Sequence, residues 1–318
     1  SGELSSRLGF REDSTSLILL GSDVVEITAG VGRDVSKDIP TACARAVELA
    51  KGKTDLSPAL CITLPESLTA SGQQIVEALG QNLGAGVPVL GGTAGDGYQL
   101  ERTYQFCGRE VYSDSVPVLL FSGPLVYSIA IESGWKPMGE SGLVTRSAGT
   151  VVHEIDERPA IDFYRRLLGE NAVPGPENPL AILDEQGAIE CLRATTSGVD
   201  EDSGAINYLA DVREGAMVQV TIADRGAILE GCKASVSKAF SDYPHGKTPD
   251  AALIFSCVAR QLLLGTRTSE EIDIVKSVIG TQVPICGFYC YGEIGPRDTN
   301  DDTSKFHNET FVSLILGT

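Results

Sequence analysis

The sequence predicts an α/β fold made of internally duplicated βαβ-type units, forming mixed sheets flanked by helices. Three observations carry that prediction. An ordered series of motifs recurs nearly two hundred residues apart, each copy alternates amphipathic helices with short apolar strands, and the stretch Val111 to Ile131 reads as antiparallel strands punctuated by Ser113-Asp114 and Ser122-Gly123-Pro124.

The first copy opens with Val25-Glu26-Ile27-Thr28, passes Gly52-Lys53-Thr54 and the strand Ala59-Leu60-Cys61-Ile62, and ends in Val87-Pro88-Val89-Leu90-Gly91. The second opens with Val218-Gln219-Val220-Thr221, passes Gly246-Lys247-Thr248 and Ala252-Leu253-Ile254-Phe255, and ends in Val283-Pro284-Ile285-Cys286-Gly287. Each then makes a glycine turn closed by an acid, Gly95-Asp96 or Gly292-Glu293, before a strand starting at Thr103 or Thr303. The expectation is that residues 24 to 97 superpose on residues 217 to 295.

Helix signals fall at matching places. Asp38 is positioned to cap a helix with Ile39, Ala42, Cys43, Ala46 and Ala50 on one face. Ile75, Val76, Leu79 and Leu83 repeat the spacing and stop at Gly84. In the second copy Thr268 and Glu271 have capping-box spacing ahead of Ile272, Val275 and Ile279, with Gly280 as the stop. A further helix is predicted with Asp156 as its cap and Ile161, Tyr164 and Leu168 on its face. The domain junction is placed near residue 155, giving domains 1–155 and 156–318, with the proline-rich Val173 to Pro179 stretch as a bend.

Composition narrows the function. Forty-three acidic against 25 basic residues give a net charge of -18, a field that repels phosphate backbones and anionic membranes, so no nucleic-acid or membrane partner is expected. Apolar runs such as Val116 to Phe121 are far shorter than the ~20 residues that span a bilayer. Eight scattered cysteines fit a reduced, cytoplasmic compartment.

Several catalytic and metal patterns fail on their residues. No Gly-x-Ser-x-Gly elbow is present, and Ser1 as an N-terminal nucleophile is less plausible than a boundary. Both Gly-Lys-Thr tripeptides lack the upstream glycine of a phosphate loop. Asp298, Asn300, Asp302 and Glu309 match four calcium-loop positions, but Thr303 stands where the central glycine belongs. No paired Cys-x-x-Cys accompanies Cys257, Cys286 and Cys290, so no metal site is expected.

The candidates for ligand binding are Gly92, Thr93, Gly95, Asp96, Arg260, Tyr291, Glu293 and Asn308. Strand ends followed by glycine turns are where open α/β sheets place ligands. Arg260 offers a planar fork to a carboxylate, with a salt bridge to Glu293 or Asp96 as the structural alternative. Asp96 or Glu293 would take a cationic group.

Gly91-Gly92-Thr93-Ala94-Gly95-Asp96, Gly134-Trp135-Lys136-Pro137-Met138-Gly139 and Pro159-Ala160-Ile161-Asp162-Phe163-Tyr164 resemble the N-terminal FIST domain and its exit. Phe255-Ser256-Cys257-Val258-Ala259-Arg260, the run Gly287 to Ile294 and His307-Asn308-Glu309-Thr310 resemble the C-terminal FIST domain. The resemblance covers nearly the whole chain. It implies two FIST-like domains acting as a cytoplasmic sensory module that binds a small ligand, amino-acid-like or another small carboxylate, and signals to a downstream protein. It also implies one more βαβ unit ahead of Ser1, about 70 residues judged by the size of the units here. Two other readings use neighbouring residues. A haem-based nitric-oxide sensor would need His307 or His153 on the iron. An enzyme would use Cys257, Arg260, Glu293 and His307 for covalent or acid-base chemistry.

Overall fold

The computed structural model of the chain describes residues 2–301 and 303–318. Ser1 and Asp302, named above for a nucleophile and a calcium position, lie outside the described residues. The chain opens with a hairpin, β1 (Gly2–Ser5) and β2 (Gly9–Glu12), then runs β3 (Glu26–Arg33), α1 (Ile39–Lys51), β4 (Pro58–Thr63), α2 (Gly72–Leu83) and β5 (Val89–Gly92). A second hairpin, β6 (Gln105–Cys107) and β7 (Glu110–Tyr112), leads to β8 (Ser115–Ser122) and β9 (Val126–Glu132). The middle holds β10 (Lys136–Pro137), β11 (Gly142–Ala148), β12 (Val151–Ile155), β13 (Arg158–Pro159), α3 (Ala160–Leu168), β14 (Leu180–Leu183), β15 (Ile189–Arg193), β16 (Thr195–Val199), β17 (Ile206–Tyr208) and β18 (Met217–Ile222). The last part is α4 (Arg225–Asp242), β19 (Ala251–Cys257), α5 (Val258–Leu264), α6 (Ser269–Ile279), β20 (Ile285–Cys290), β21 (Glu293–Gly295), β22 (Lys305–His307) and β23 (Phe311–Gly317).

Two six-stranded mixed sheets pack face to face. One has the order β22-β21-β5-β4-β8-β3 and the other β2-β1-β20-β19-β23-β9. Between them lies an apolar layer that includes Leu60, Ile62, Leu90, Phe121, Phe255 and Leu314. Outside the first sheet α1 and α2 bury Ala46, Ile75 and Leu79, and outside the second α4 and α6 bury Val236, Ile272 and Val275. Alternation along each strand feeds both layers: Leu60 and Ile62 face the partner sheet while Cys61 faces the helices. A third sheet of nine strands, covered by α3, forms a separate lobe around Val144, Phe163, Tyr208 and Val218.

The duplication is visible in hydrogen bonds. Cys61 donates its N–H to the Pro88 carbonyl at 2.9 Å, and Ala252 donates to the Pro284 carbonyl at the same distance. In both copies the following strand is parallel to the previous one, β5 to β4 and β20 to β19. Ala252 therefore corresponds to Cys61 and not to Ala59, two residues away from the match the sequence suggested. Gly91 and Gly287 occupy the same place in each: a Cβ on Gly91 would stand 1.8 Å from the Thr63 carbonyl oxygen, and one on Gly287 2.2 Å from that of Ile254. Only glycine fits where the parallel neighbour's backbone comes so close.

Three local expectations are corrected and one is refined. Val218 to Thr221 belongs to β18 in the third sheet, and β9 takes the position beside β23 that β3 holds beside β8. Ser122-Gly123-Pro124 does separate two strands of the Val111 to Ile131 run, but β8 and β9 lie in different sheets and do not pair with each other. Asp38 caps α1 by accepting the Thr41 N–H at 3.0 Å, but Thr268 makes no such cap: its backbone is already helical (φ -55, ψ -38), continuing the 3-10 turn Gly265–Arg267. Asp156 sits at φ 54 in the turn between β12 and β13 and accepts the Leu143 N–H, so α3 starts at Ala160 without a side-chain cap.

Candidate functional site

The two glycine turns meet at the seam where the chain passes from one sheet to the other. β20 leaves its own sheet at Tyr291-Gly292 and continues as β21, pairing Glu293 with Gly92 and Ile294 with Gly91. The Thr93 N–H donates to the Gly292 carbonyl at 2.8 Å and the Tyr291 N–H to the Thr93 carbonyl at 3.3 Å. Gly92 admits no side chain, since a Cβ would lie 2.6 Å from Cys290 Sγ. Gly95 sits half-buried between Thr93 and Asp96.

Asp96 organises the outer rim. Its carboxylate accepts the N–H groups of Leu100, Glu101 and Arg102 at 2.8–3.1 Å and the Tyr291 hydroxyl. Burial pushes its pKa up, but those hydrogen bonds outweigh burial and hold it at about 2. The loop they fix carries two non-glycine residues in the left-handed region, Tyr98 at φ 67 and Leu100 at φ 53. Tyr98 donates its N–H to the Tyr291 hydroxyl oxygen at 2.8 Å and its own hydroxyl to the Val258 carbonyl at 2.6 Å, closing the loop over the end of β19.

Beneath this loop the seam is polar and sealed. Glu293 is wholly buried and accepts the Thr310 N–H at 3.0 Å, the Thr310 hydroxyl at 2.9 Å and the Cys290 thiol at 3.3 Å. Burial pushes its pKa up to about 8, offset in part by those bonds. Glu309 is also wholly buried, at φ 62, and neither of its carboxylate oxygens has a partner among the described residues. Burial first, then the nearby Glu293, raises its pKa well above the usual carboxylate range. Asn308 accepts the Ala194 N–H at 3.3 Å, while its Nδ2 is buried without an acceptor among the described residues.

Arg260 is close to this cluster yet committed elsewhere. It is fully buried and donates to Glu271, to the Ile228 carbonyl at 2.8 Å and to the Ser133 carbonyl. Its partner is therefore Glu271 and not Glu293 or Asp96, and no face of the guanidinium is open to a ligand. Of the sequence-derived candidates the fold brings together Gly92, Thr93, Asp96, Tyr291 and Glu293 at the seam, with Asn308 beside it. It adds Tyr98 and Glu309. Nothing in the sequence singles out Tyr98, whereas Glu309 stands in the quoted His307-Asn308-Glu309-Thr310 motif and at a calcium-loop position, neither of which marks it as a buried binding group.

The chemistry open to the cluster is limited by its charges. Burial pushes the Cys257 thiol well up, and the carboxyl groups of Glu293 and Glu309 push it further in the same direction, opposing a thiolate. His307 is buried, with Nε2 3.0 Å from the Gly295 carbonyl, and burial holds its pKa down to about 4. It borders a cavity whose wall carries Glu132, Glu190, Glu230 and Lys238. His153 is on β12 in the other lobe. Haem needs an apolar wall around its iron ligand, and neither histidine has one shown to fit.

The fold is a duplicated α/β sandwich with a buried polar seam between its two sheets. Residues 1–158 match the FIST N domain and residues 160–296 the FIST C domain. The chain belongs to the FIST family, whose domains are sensory domains of signal transduction. It is similar to an uncharacterized protein of Methanocaldococcus jannaschii, 32% identical over 280 residues that cover 77% of this chain and 51% of that protein. It is also similar to uncharacterized proteins of Mycobacterium tuberculosis, 26% identical over 248 residues, and Mycobacterium bovis, 23% over 247, each covering 74% of this chain and 63% of the relative. The chain thus spans between about half and two thirds of the length of the curated relatives it matches. No helix among the described residues is long and apolar enough to cross a membrane.

Proposed function

We propose that the chain is a sensory module that binds a small amino-acid-like molecule at the seam, beneath the loop that Asp96 and Tyr98 hold shut. Glu309 is the observation that carries this reading: a wholly buried carboxylate, unpartnered among the described residues, on a backbone at φ 62. Leaving a buried carboxyl unpaired costs several kcal/mol, and the strained backbone adds about 1 kcal/mol. A ligand ammonium is the donor Glu309 lacks. A ligand carboxylate or carbonyl is the acceptor Asn308 Nδ2 lacks. Tyr98 and Tyr291 supply the aromatic rim, their rings 6.3 Å apart. Entry requires the 96–102 loop to lift, and that movement is the change a downstream protein would read. Eight unbridged cysteines fit a cytoplasmic setting.

The test is a thermal-shift screen of amino acids and small carboxylates. A ligand at a hundred times its dissociation constant stabilises the fold by about 2.7 kcal/mol. Glu309→Gln should weaken that ligand by about tenfold or more while leaving the fold intact or firmer. A screen with no shift in the unmodified protein, or a Glu309→Gln variant with the full shift, rules the reading out.

A further inference from the structure

Outside the seam, a cavity of about 710 Å³ opens between α4, the 131–136 segment that leaves β9, and β15 on the far side. Two glycines set its geometry. Gly134 runs at φ 99, and a Cβ there would stand 2.2 Å from the Ala227 carbonyl oxygen; a Cβ on Gly231 would stand 2.5 Å from that of Ser133. The Ser133–Trp135 turn therefore lies directly on the first two turns of α4. Behind it Arg260 bonds both the Ser133 and the Ile228 carbonyls, fixing turn and helix to each other from the inside.

That packing gathers three kinds of donor. Trp135 is 3% exposed, forms part of the cavity wall, and its Nε1–H has no acceptor among the described residues. Lys136 follows it, exposed, and pairs with no carboxylate among the described residues. The third is the start of α4, a helix of 18 residues: Asp224 takes the Ala227 N–H at 2.8 Å, and the first-turn N–H groups of Arg225 and Gly226 have no intrahelical acceptor. The other cations on the wall are occupied, Lys238 with Asp242 and Asp298, and Arg297 with Asp184.

Acidic groups limit what can enter. Glu132, Glu190, Asp224, Glu230 and Asp298 share the wall; Glu190 is paired with Lys305, Asp298 with Lys238, and Asp224 is held by the Ala227 N–H, while the whole chain carries -18, so a polyanion is repelled and at most a single negative charge is admitted at the donor end. We infer that this cavity is a second binding site, for a small organic monocarboxylate received by Trp135 Nε1–H, the Lys136 ammonium and the first turn of α4.

Trp135 is the chain's one tryptophan, so its emission reports on this wall alone. The full chain is titrated with butyrate, and in parallel with inorganic phosphate. Butyrate should change the emission saturably, with phosphate about tenfold weaker or more. Lys136→Ala, at an exposed position, should weaken butyrate by about tenfold, and Lys136→Arg should restore most of it. Trp135→Phe, followed by calorimetry, should also bind more weakly. Glu309→Gln should leave the butyrate titration unchanged, which separates this site from the one at the seam. An emission that does not saturate, phosphate binding as tightly as butyrate, or Lys136→Ala binding like the unmodified chain overturns the inference.

Discussion

Arg260 and Glu271 form an ion pair from which solvent is wholly excluded, with Nη2 2.7 Å and Nε 2.9 Å from the same carboxylate oxygen. The other oxygen of Glu271 accepts the Ser256 hydroxyl at 3.1 Å and the Tyr289 hydroxyl at 2.6 Å. Such a pair costs most when one half is removed, because the other is left as an uncompensated buried charge. Arg260→Met should destabilise the fold by about 3–5 kcal/mol in urea unfolding, and adding Glu271→Leu should recover part of that loss. A single variant that unfolds at the unmodified midpoint contradicts the assignment.

Glu293 sets a pH dependence opposite in sign to that of an ordinary paired carboxylate. Its folded pKa, about 8, lies above the 4.5 of an unperturbed glutamate, so the native state holds the proton more tightly than the unfolded chain does. The stabilising contribution is complete below about 4.5 and is lost as the pH rises through about 8. Glu309 is shifted in the same direction. Glu293→Gln cannot ionise and keeps an acceptor for Thr310, so it should reduce the drop in stability between those limits. An unchanged drop, read from urea midpoints at the two ends, contradicts this.

Asp96 works the other way. Its pKa of about 2 lies below the usual 3.8, so its contribution is present above about 3.8 and lost as the pH falls through about 2. Asp96→Asn should cost about 1–2 kcal/mol through weaker bonds to the loop amides. Hydrogen exchange at Leu100 and Glu101 should quicken first, and protection as in the unmodified protein argues against Asp96 as the clasp.

The equivalent glycines offer a matched pair of measurements. Gly91→Ala and Gly287→Ala each drive a methyl into a neighbouring strand's carbonyl, at 1.8 and 2.2 Å, where backbone on both sides prevents relief. Each should cost about 2–4 kcal/mol. Gly80→Ala, with nothing within 4 Å of its added Cβ and inside α2, should be neutral or stabilising by up to about 1 kcal/mol.

The repeat was legible because each copy faces one physical constraint: Pro88 and Pro284 precede strands that approach a parallel neighbour too closely for anything but glycine. Asp38 was legible because a cap is decided within three residues. Thr268 and Glu271 have the same local spacing as a capping box, but Arg260 draws Glu271 into the interior from eleven residues away, and no local pattern records that. Sheet membership escaped for a similar reason. Val126 to Glu132 and Val218 to Thr221 are both apolar strands, and which of them lies beside β23 is settled by partners far along the chain. At the seam, the residue type of Arg260 suggested a ligand because its fork was evident and its partner was not.

The hairpin β21–β22 completes the sheet of the first repeat, while β1, β2 and β9, all from the first 132 residues, complete the sheet of the second. Separated between residues 158 and 160, where the two family matches meet, the later half would retain β20, β19 and β23 with both flanks stripped of hydrogen-bonding partners. The earlier half would keep four adjoining strands and lose two. Two units by ancestry are thus interlocked like clasped hands, and a disturbance at either glycine turn is felt by the framework of both.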